Sequence, residues 1–299
     1  MNAIVTVPPY APFIKEVAKH PVVSGLRLNT VMPVKEPLEE LLKRLQDHGK
    51  TVWLDLKARQ LRTKGYSVAP FTEVHISHKI SVKTPVTAYF GNGREHATVV
   101  GVEGSRLLFL EGPQRVIGPG ESINIPEPSL VIYGGLTRRD LQYIEAAAKT
   151  GIHEYMLSYV ENQDDIDGLK KLDDKACIAA KIESIKGMDY VRNSYKNDAR
   201  LMTARGDLFV EVKRPHNILE AIETIIQNDP EAIAASRILS SLATSLEPEC
   251  NDITDVGYLI SKGYKTFMLG DEVCLRRESV ISALNLLEAI FDRYEKKSI

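Results

Sequence analysis

Lys181 and Glu183 stand two residues apart at the end of one apolar run, and Asp207 follows the end of the next. In an extended strand residues two apart share a face, so Lys181 and Glu183 point the same way. Two carboxylates at the ends of adjoining strands suit a hard divalent cation, Mg2+ or Mn2+, completed by water and substrate oxygens. A lysine beside such a cation can offset negative charge developing on an enolate or a transferring phosphoryl group. Gly206 lets backbone N–H groups approach an anion at the start of the following helix. One such carboxylate alone reads as a helix cap or surface charge; the three side chains together point to function.

The elements that must position these groups follow an alternating pattern. Ala3–Val7, Gly25–Asn29 and Thr51–Lys57 read as strands, with helices over Phe13–His20 and Pro37–Gly49 between them. From Ala58 to Gly135 no segment reads as a helix. Short β-rich runs appear instead, at Glu73–Ile80, Val86–Phe90, Ala97–Val102, Arg106–Leu110 and Ser122–Ile125, with turn signals at Gly91-Asn92-Gly93 and Gly118-Pro119-Gly120. Alternation resumes at Thr137, which with Asp140 forms a variant capping box. Strands are expected at Tyr155–Val160, Ala176–Ile182, Ala199–Thr203, Ala232–Leu239 and Lys265–Leu269. Helices are expected over Asp164–Leu172, Lys186–Lys196, Asn217–Gln227, Thr254–Gly263 and Ser279–Tyr294. The chain is therefore expected to be α/β: a (β/α)8 TIM barrel with a small antiparallel β domain inserted after strand three. Residues 1–57 and 136–299 would form the barrel and residues 58–135 the insert. An open doubly wound sheet is disfavoured because no GxGxxG follows the first strand.

Active sites of such barrels lie where the strands end. The polar residues there are Arg27 and Asn29, Asp55 and Lys57, Ser158, Lys181 and Glu183, Arg205 to Asp207, Ser236 and Glu272. Asp55 and Lys57 could equally pair with each other, and Glu272 could be a helix-start carboxylate. Tyr159 is read as a cover over the substrate, with packing as the alternative. The seven histidines are expected at the surface. Cys177 and Cys274 are expected to pack.

Ala180-Lys181-Ile182-Glu183-Ser184 is similar to the metal-binding strand of the pyruvate kinase family, within the phosphoenolpyruvate/pyruvate superfamily. Leu201 to Leu208 resembles that family's second metal-ligand segment. Leu54-Asp55-Leu56-Lys57 with Leu61-Arg62-Thr63 resembles the segment leading into its mobile lid. Gly25 to Asn29, Ala235 to Leu239, Asp255-Val256, Phe267 to Leu269 and Glu272 also fit. The resemblance implies that Glu183 and Asp207 hold the divalent metal and that Lys181 stabilises the phosphoryl group or enolate. Arg27 would contact the phosphate. Ala204, Gly206 and Asp207, with Ser236 in place of a threonine, would grip the substrate carboxylate, with Ser158, Tyr159 and Glu272 nearby. Asn29, Asp55, Lys57 and Arg62 would form the monovalent-cation or nucleotide side. The chain departs from the pattern at Thr30-Val31-Met32, Leu56, Ala58-Arg59-Gln60 and Glu161, so the metal–enolate half looks kept and the ADP and K+ half altered. The β insert is shorter than the family's, and no counterpart of its C-terminal regulatory domain is recognised.

Mg2+-dependent phosphoryl transfer between phosphoenolpyruvate and ADP through a pyruvate enolate is the first expectation. A metal-dependent aldolase, lyase or decarboxylase acting on a 2-oxo acid without nucleotide is the second, and a non-catalytic metabolite sensor the third. The 299 residues carry a net charge of −2, which marks neither a nucleic-acid nor a membrane-surface binder. Three scattered cysteines and no leader-like start suggest a cytoplasmic protein with small-molecule partners. Homo-oligomerisation and a K+ requirement stay open.

Overall fold

The computed structural model describes residues 1–68, 72–91, 93–212 and 214–296. The expected Gly91-Asn92-Gly93 turn includes Asn92, which lies outside them. The chain opens with β1 (Asn2–Thr6), α1 (Ile14–Lys19), β2 (Val23–Asn29), α2 (Leu38–Gln46) and β3 (Thr51–Leu56). Short strands follow: β4 (Glu73–His75), β5 (Lys79–Ser81), β6 (Val86–Phe90), β7 (Glu95–Glu103), β8 (Arg106–Phe109), β9 (Ile123–Asn124) and β10 (Val131–Tyr133). Then come α3 (Arg138–Thr150), β11 (Glu154–Leu157), α4 (Gln163–Lys170), β12 (Cys177–Ile182), α5 (Ile185–Asn193) and β13 (Arg200–Ala204). The chain continues through α6 (Arg205–Glu211), α7 (Asn217–Asn228), β14 (Ile233–Ala235), α8 (Cys250–Ser261), β15 (Thr266–Leu269), α9 (Asp271–Cys274) and α10 (Arg277–Glu295).

Eight parallel strands close in the order β1-β15-β14-β13-β12-β11-β3-β2. This is the expected (β/α)8 barrel. Apolar helix faces cover its outside: Leu41, Leu42 and Leu45 of α2 are fully buried, as are Leu284 and Leu287 of α10. The interior is filled by Ile4, Trp53, Met156, Ala179, Met202, Ile233, Ala235 and Met268. β2 makes room for the indole with Gly25, where a Cβ would sit 3.1 Å from Trp53 Cδ1 and Nε1. Between β3 and β11, the strands β4-β8-β7-β6-β9 form one antiparallel sheet and β10-β5 another. They enclose a separate core that includes Val74, Ile76, Phe90, Val99, Leu107 and Ile123.

Several expectations are corrected. Glu73–Ile80 is not one strand but two, β4 and β5, in different sheets. Ala232–Leu239 leaves the barrel after Ala235, because Ser236, Arg237 and Leu239 adopt left-handed conformations. His78 is not at the surface: it is 8% exposed and held by Ser77 Oγ at 2.9 Å and the Gly135 carbonyl at 3.2 Å. Cys177 is exposed rather than packed, while Cys274 is buried.

The capping box at Thr137 and Asp140 forms as expected, and it does more than start α3. The Asp140 carboxylate also accepts from the backbone N–H groups of Lys57 at 2.8 Å and Ala58 at 3.0 Å. It thereby fixes the chain where it leaves β3. Asp140→Ala would strip a helix cap and strand several buried donors. Urea unfolding should show a loss of about 3 kcal/mol; a loss under about 1 kcal/mol would contradict that anchoring role.

Candidate active site

Asp55 is the last but one residue of β3 and is fully buried. Its Oδ2 accepts from Arg27 Nε at 2.9 Å and from Nη2 of the same guanidinium, and pairs with Lys57 Nζ at 2.8 Å. Its Oδ1 takes Lys181 Nζ at 3.3 Å. Three cations thus share one carboxylate. Burial alone would raise the Asp55 carboxyl, but Arg27, Lys181 and Lys57 hold it well below the usual carboxylate range. Burial pushes Lys57 down to about 7: the attraction of Asp55 does not offset burial and the repulsion of Lys181, Arg62 and Arg27. Lys181 is also buried, yet Asp55 and Glu183 keep it above the ordinary lysine value.

Lys181 joins this cationic half to an acidic one. Its Nζ donates to Ser158 Oγ at 2.8 Å and pairs with Glu183 Oε1 at 3.0 Å. Glu183 Oε2 accepts from the Tyr159 N–H at 2.8 Å. Burial raises the Glu183 carboxyl to about 7, Lys181 pulls it down, and the Asp207 charge adds to the rise. Asp207, on the first turn of α6, accepts from Asn124 Nδ2 at 3.0 Å and Gln60 Nε2 at 3.1 Å. Both amides come from the inserted β region. Arg62 is linked to this point through Gln60, whose Oε1 accepts from Arg62 Nε at 3.0 Å. The Asn124 amide also donates to the Tyr159 hydroxyl. Four strand-end residues, Ala58, Tyr159, Ser236 and Arg237, are non-glycine residues at positive φ. Such strain persists where surrounding structure enforces it, commonly at ligand sites.

The structure brings Arg27, Asp55, Lys57, Ser158, Lys181 and Glu183 into one network, with Asp207 electrostatically coupled to Glu183. Ala204 and Gly206 line the turn into α6, where a Cβ on Gly206 would meet Ser236 Cβ and Oγ at 3.4 Å. The Ser236 carbonyl accepts from Arg205 Nη2 at 2.8 Å. Asn29 faces Asp271 rather than Asp55, and Glu272 is not in the network: it is exposed and lies 3.5 Å from Arg94 of the insert. Asp271, one residue earlier, is the acid of this stretch that joins Arg27 and Asn29. The sequence reading also missed Thr6, Gln60, Asn124 and Glu211. Only Glu211 carried a spacing signal, four residues after Asp207 on one helix.

Glu183 and Asp207 fit a divalent cation: both carboxylates are buried, and Lys181 does not offset the burial that, with the Asp207 charge, raises Glu183. Among the described residues no group of three or more His, Cys, Asp or Glu could hold a metal, so water or substrate oxygens would complete the shell.

A family model described as the barrel domain of pyruvate kinase matches residues 75–276. The chain belongs to the pyruvate kinase family. Pyruvate kinase from Thermoplasma acidophilum is 27% identical over 182 residues, which are 58% of this chain and 33% of that protein. The Methanocaldococcus jannaschii enzyme is 23% identical over 293 residues, 91% of this chain and 65% of that protein. The Thermococcus litoralis enzyme is 30% identical over 172 residues, 54% of this chain and 35% of that protein. The matched part thus spans between a third and two thirds of these pyruvate kinases. No helix among the described residues is long and apolar enough to cross a membrane.

Glu211 supplies a test of the acidic half. Burial, then the charges of Asp207 and Glu161, raise its carboxyl from 4.5 to about 8. The folded state therefore holds this proton more tightly than the unfolded chain does. The stability it contributes is complete below the unfolded value and is lost as pH rises from about 4.5 to about 8. In chelator, Glu211→Gln should gain melting temperature relative to the native protein as pH goes from about 5 to about 8. Parallel melting curves across that range would contradict the placement of Glu211 among like charges.

Proposed function

We propose that this chain transfers a phosphoryl group between phosphoenolpyruvate and ADP through a pyruvate enolate. The observation that carries the reading is the position of Lys181, whose ammonium touches Asp55, Ser158 and Glu183 at the junction of the cationic and acidic halves. Family membership favours this reading over the 2-oxo acid lyase and the sensor.

In this reading the substrate carboxylate rests on the backbone of Ala204, Gly206 and Asp207 beside Ser236. Arg27 faces the phosphate. Lys181 is fixed by three oxygen partners, so it needs no reorganisation when negative charge grows on the enolate oxygen. The P–O bond to the enolate oxygen breaks, a P–O bond to the terminal phosphate of ADP forms, and a proton adds to C3 of the enolate to give pyruvate. Glu183 and Asp207 would hold Mg2+ or Mn2+, which when bound supplies fixed positive charge beside the reacting oxygens. The inserted β strands act as a lid: Gln60 and Asn124 hold Asp207 and exclude water from its carboxylate. Tyr159, 6% exposed, walls the same space.

Pyruvate formation from phosphoenolpyruvate and ADP in Mg2+ tests the proposal, and absence of turnover under all metal conditions would sink it. Lys181→Met should lower kcat roughly 10³-fold while the protein still melts cooperatively.

The monovalent-cation requirement has its own expected outcome. Both Asp55 oxygens already carry cationic partners, Asn29 is held by Asp271, and Leu56 and Val31 offer apolar side chains. Replacing K+ by tetramethylammonium should leave the rate within about twofold, since no charge is missing at Asp55. A strict K+ requirement would show that Asp55 exchanges an internal partner for the ion.

A further inference from the structure

Asp271 is the acid at the mouth whose partners are the groups an incoming anion would use. Its Oδ2 accepts from Arg27 Nη1 at 3.0 Å, and both its oxygens accept from Asn29 Nδ2 at 3.1 Å. The rest of the Arg27 guanidinium faces inward, with Nε and Nη2 on Asp55 and Nη1 also donating to Thr6 Oγ1 at 2.8 Å. Asp55 and Thr6 are 0% and 1% exposed. The Asp271 side chain is 35% exposed, against 7% for Arg27. A ligand arriving from solvent can therefore replace Asp271 on Arg27 but not the two inner partners.

Charge balance points the same way. Arg27 pairs with two acids, Asp55 and Asp271, and Asp55 is shared with Lys57 and Lys181. Without the Asp271 charge, Arg27 would be left with a carboxylate it shares with two lysines, and its open face would draw an anion.

We propose that Asp271 determines specificity by standing where a phosphate group would bind on Arg27 and Asn29, so that a phosphorylated substrate enters only by displacing it. The proposal rests on the phosphate role given to Arg27 above. Asp271 opens α9 immediately after Gly270 at the rim, so its side chain can swing outward while Arg27 stays on Asp55. Apparent affinity for phosphate is then reduced by the fraction of molecules in which Asp271 has moved away. A dicarboxylate such as oxalate, bound toward Lys181 and the metal-binding acids, makes no such demand.

The test is equilibrium binding of inorganic phosphate, phosphoenolpyruvate and oxalate, each with Mg2+, to the full chain and to Asp271→Asn. The dissociation constants of phosphate and phosphoenolpyruvate should fall about tenfold, as expected when a competing internal partner is removed. That of oxalate should not move. In turnover, KM for phosphoenolpyruvate should fall with kcat unchanged. Asp271→Ser, which removes charge and reach together, must give the same pattern and serves if the amide variant does not fold. Unchanged or weakened phosphate binding overturns the proposal, because Asp271 would then orient Arg27 for its ligand instead of occupying it. An equal shift for oxalate overturns it too. If the native protein and its variants bind these ligands but turn nothing over, the binding result still decides the role of Asp271. The failure then falls on the catalytic reading alone.

Discussion

The cationic half of the barrel mouth depends on one fact: a fully buried carboxylate, Asp55, carries three cations. A lone charge at that depth would cost several kcal/mol to desolvate. Arg27 comes from β2, Lys57 from the exit of β3 and Lys181 from β12, so charge pairing and strand order reinforce each other. Lys181 then extends the network to Glu183, and from there electrostatics reach Asp207 and Glu211. The mouth is thus two regions of opposite sign with a single ammonium between them. An anion would meet the acidic region only through a cation held by Glu183 and Asp207.

How much of this could be read from the sequence depended on backbone regularity. Lys181 and Glu183 were legible because an extended run fixes side-chain parity, and the 3.0 Å contact between them follows from it. The capping box at Thr137 was legible for the same local reason, but its reach back to Lys57 and Ala58 was not, since those donors lie about eighty positions earlier in the chain. At Gly270-Asp271-Glu272 two acids stand side by side where β15 gives way to a four-residue helix. Parity is lost at such a junction, so the residue types alone do not show that Asp271, and not Glu272, turns toward Arg27. The overextended strand at Ala232–Leu239 failed similarly: three left-handed residues bend the chain, and nothing in Ser236, Arg237 or Leu239 announces that conformation.

The contribution of the inserted β region was the least legible part. Gln60 and Asn124 are neutral amides on separate segments of that region, and neither carries a spacing signal. Only the closed arrangement shows that both donate to Asp207. Each carboxylate oxygen of that residue has its own amide donor, so moving this region would change the hydrogen bonding of the acid as well as its exposure to water.

Trp53 offers a practical handle on all of this. It is the only tryptophan of the sequence, it sits two residues before Asp55 on β3, and its indole is packed with interior residues including the sulfur-bearing side chains of Met156, Met202 and Met268. Same-face geometry along the strand puts the ring one layer beneath the charge network. Selective excitation at the red edge of aromatic absorption would therefore address a single chromophore at the centre of the barrel. Its emission colour gives the protein an intrinsic optical gauge of water reaching the floor of the mouth, with no label attached.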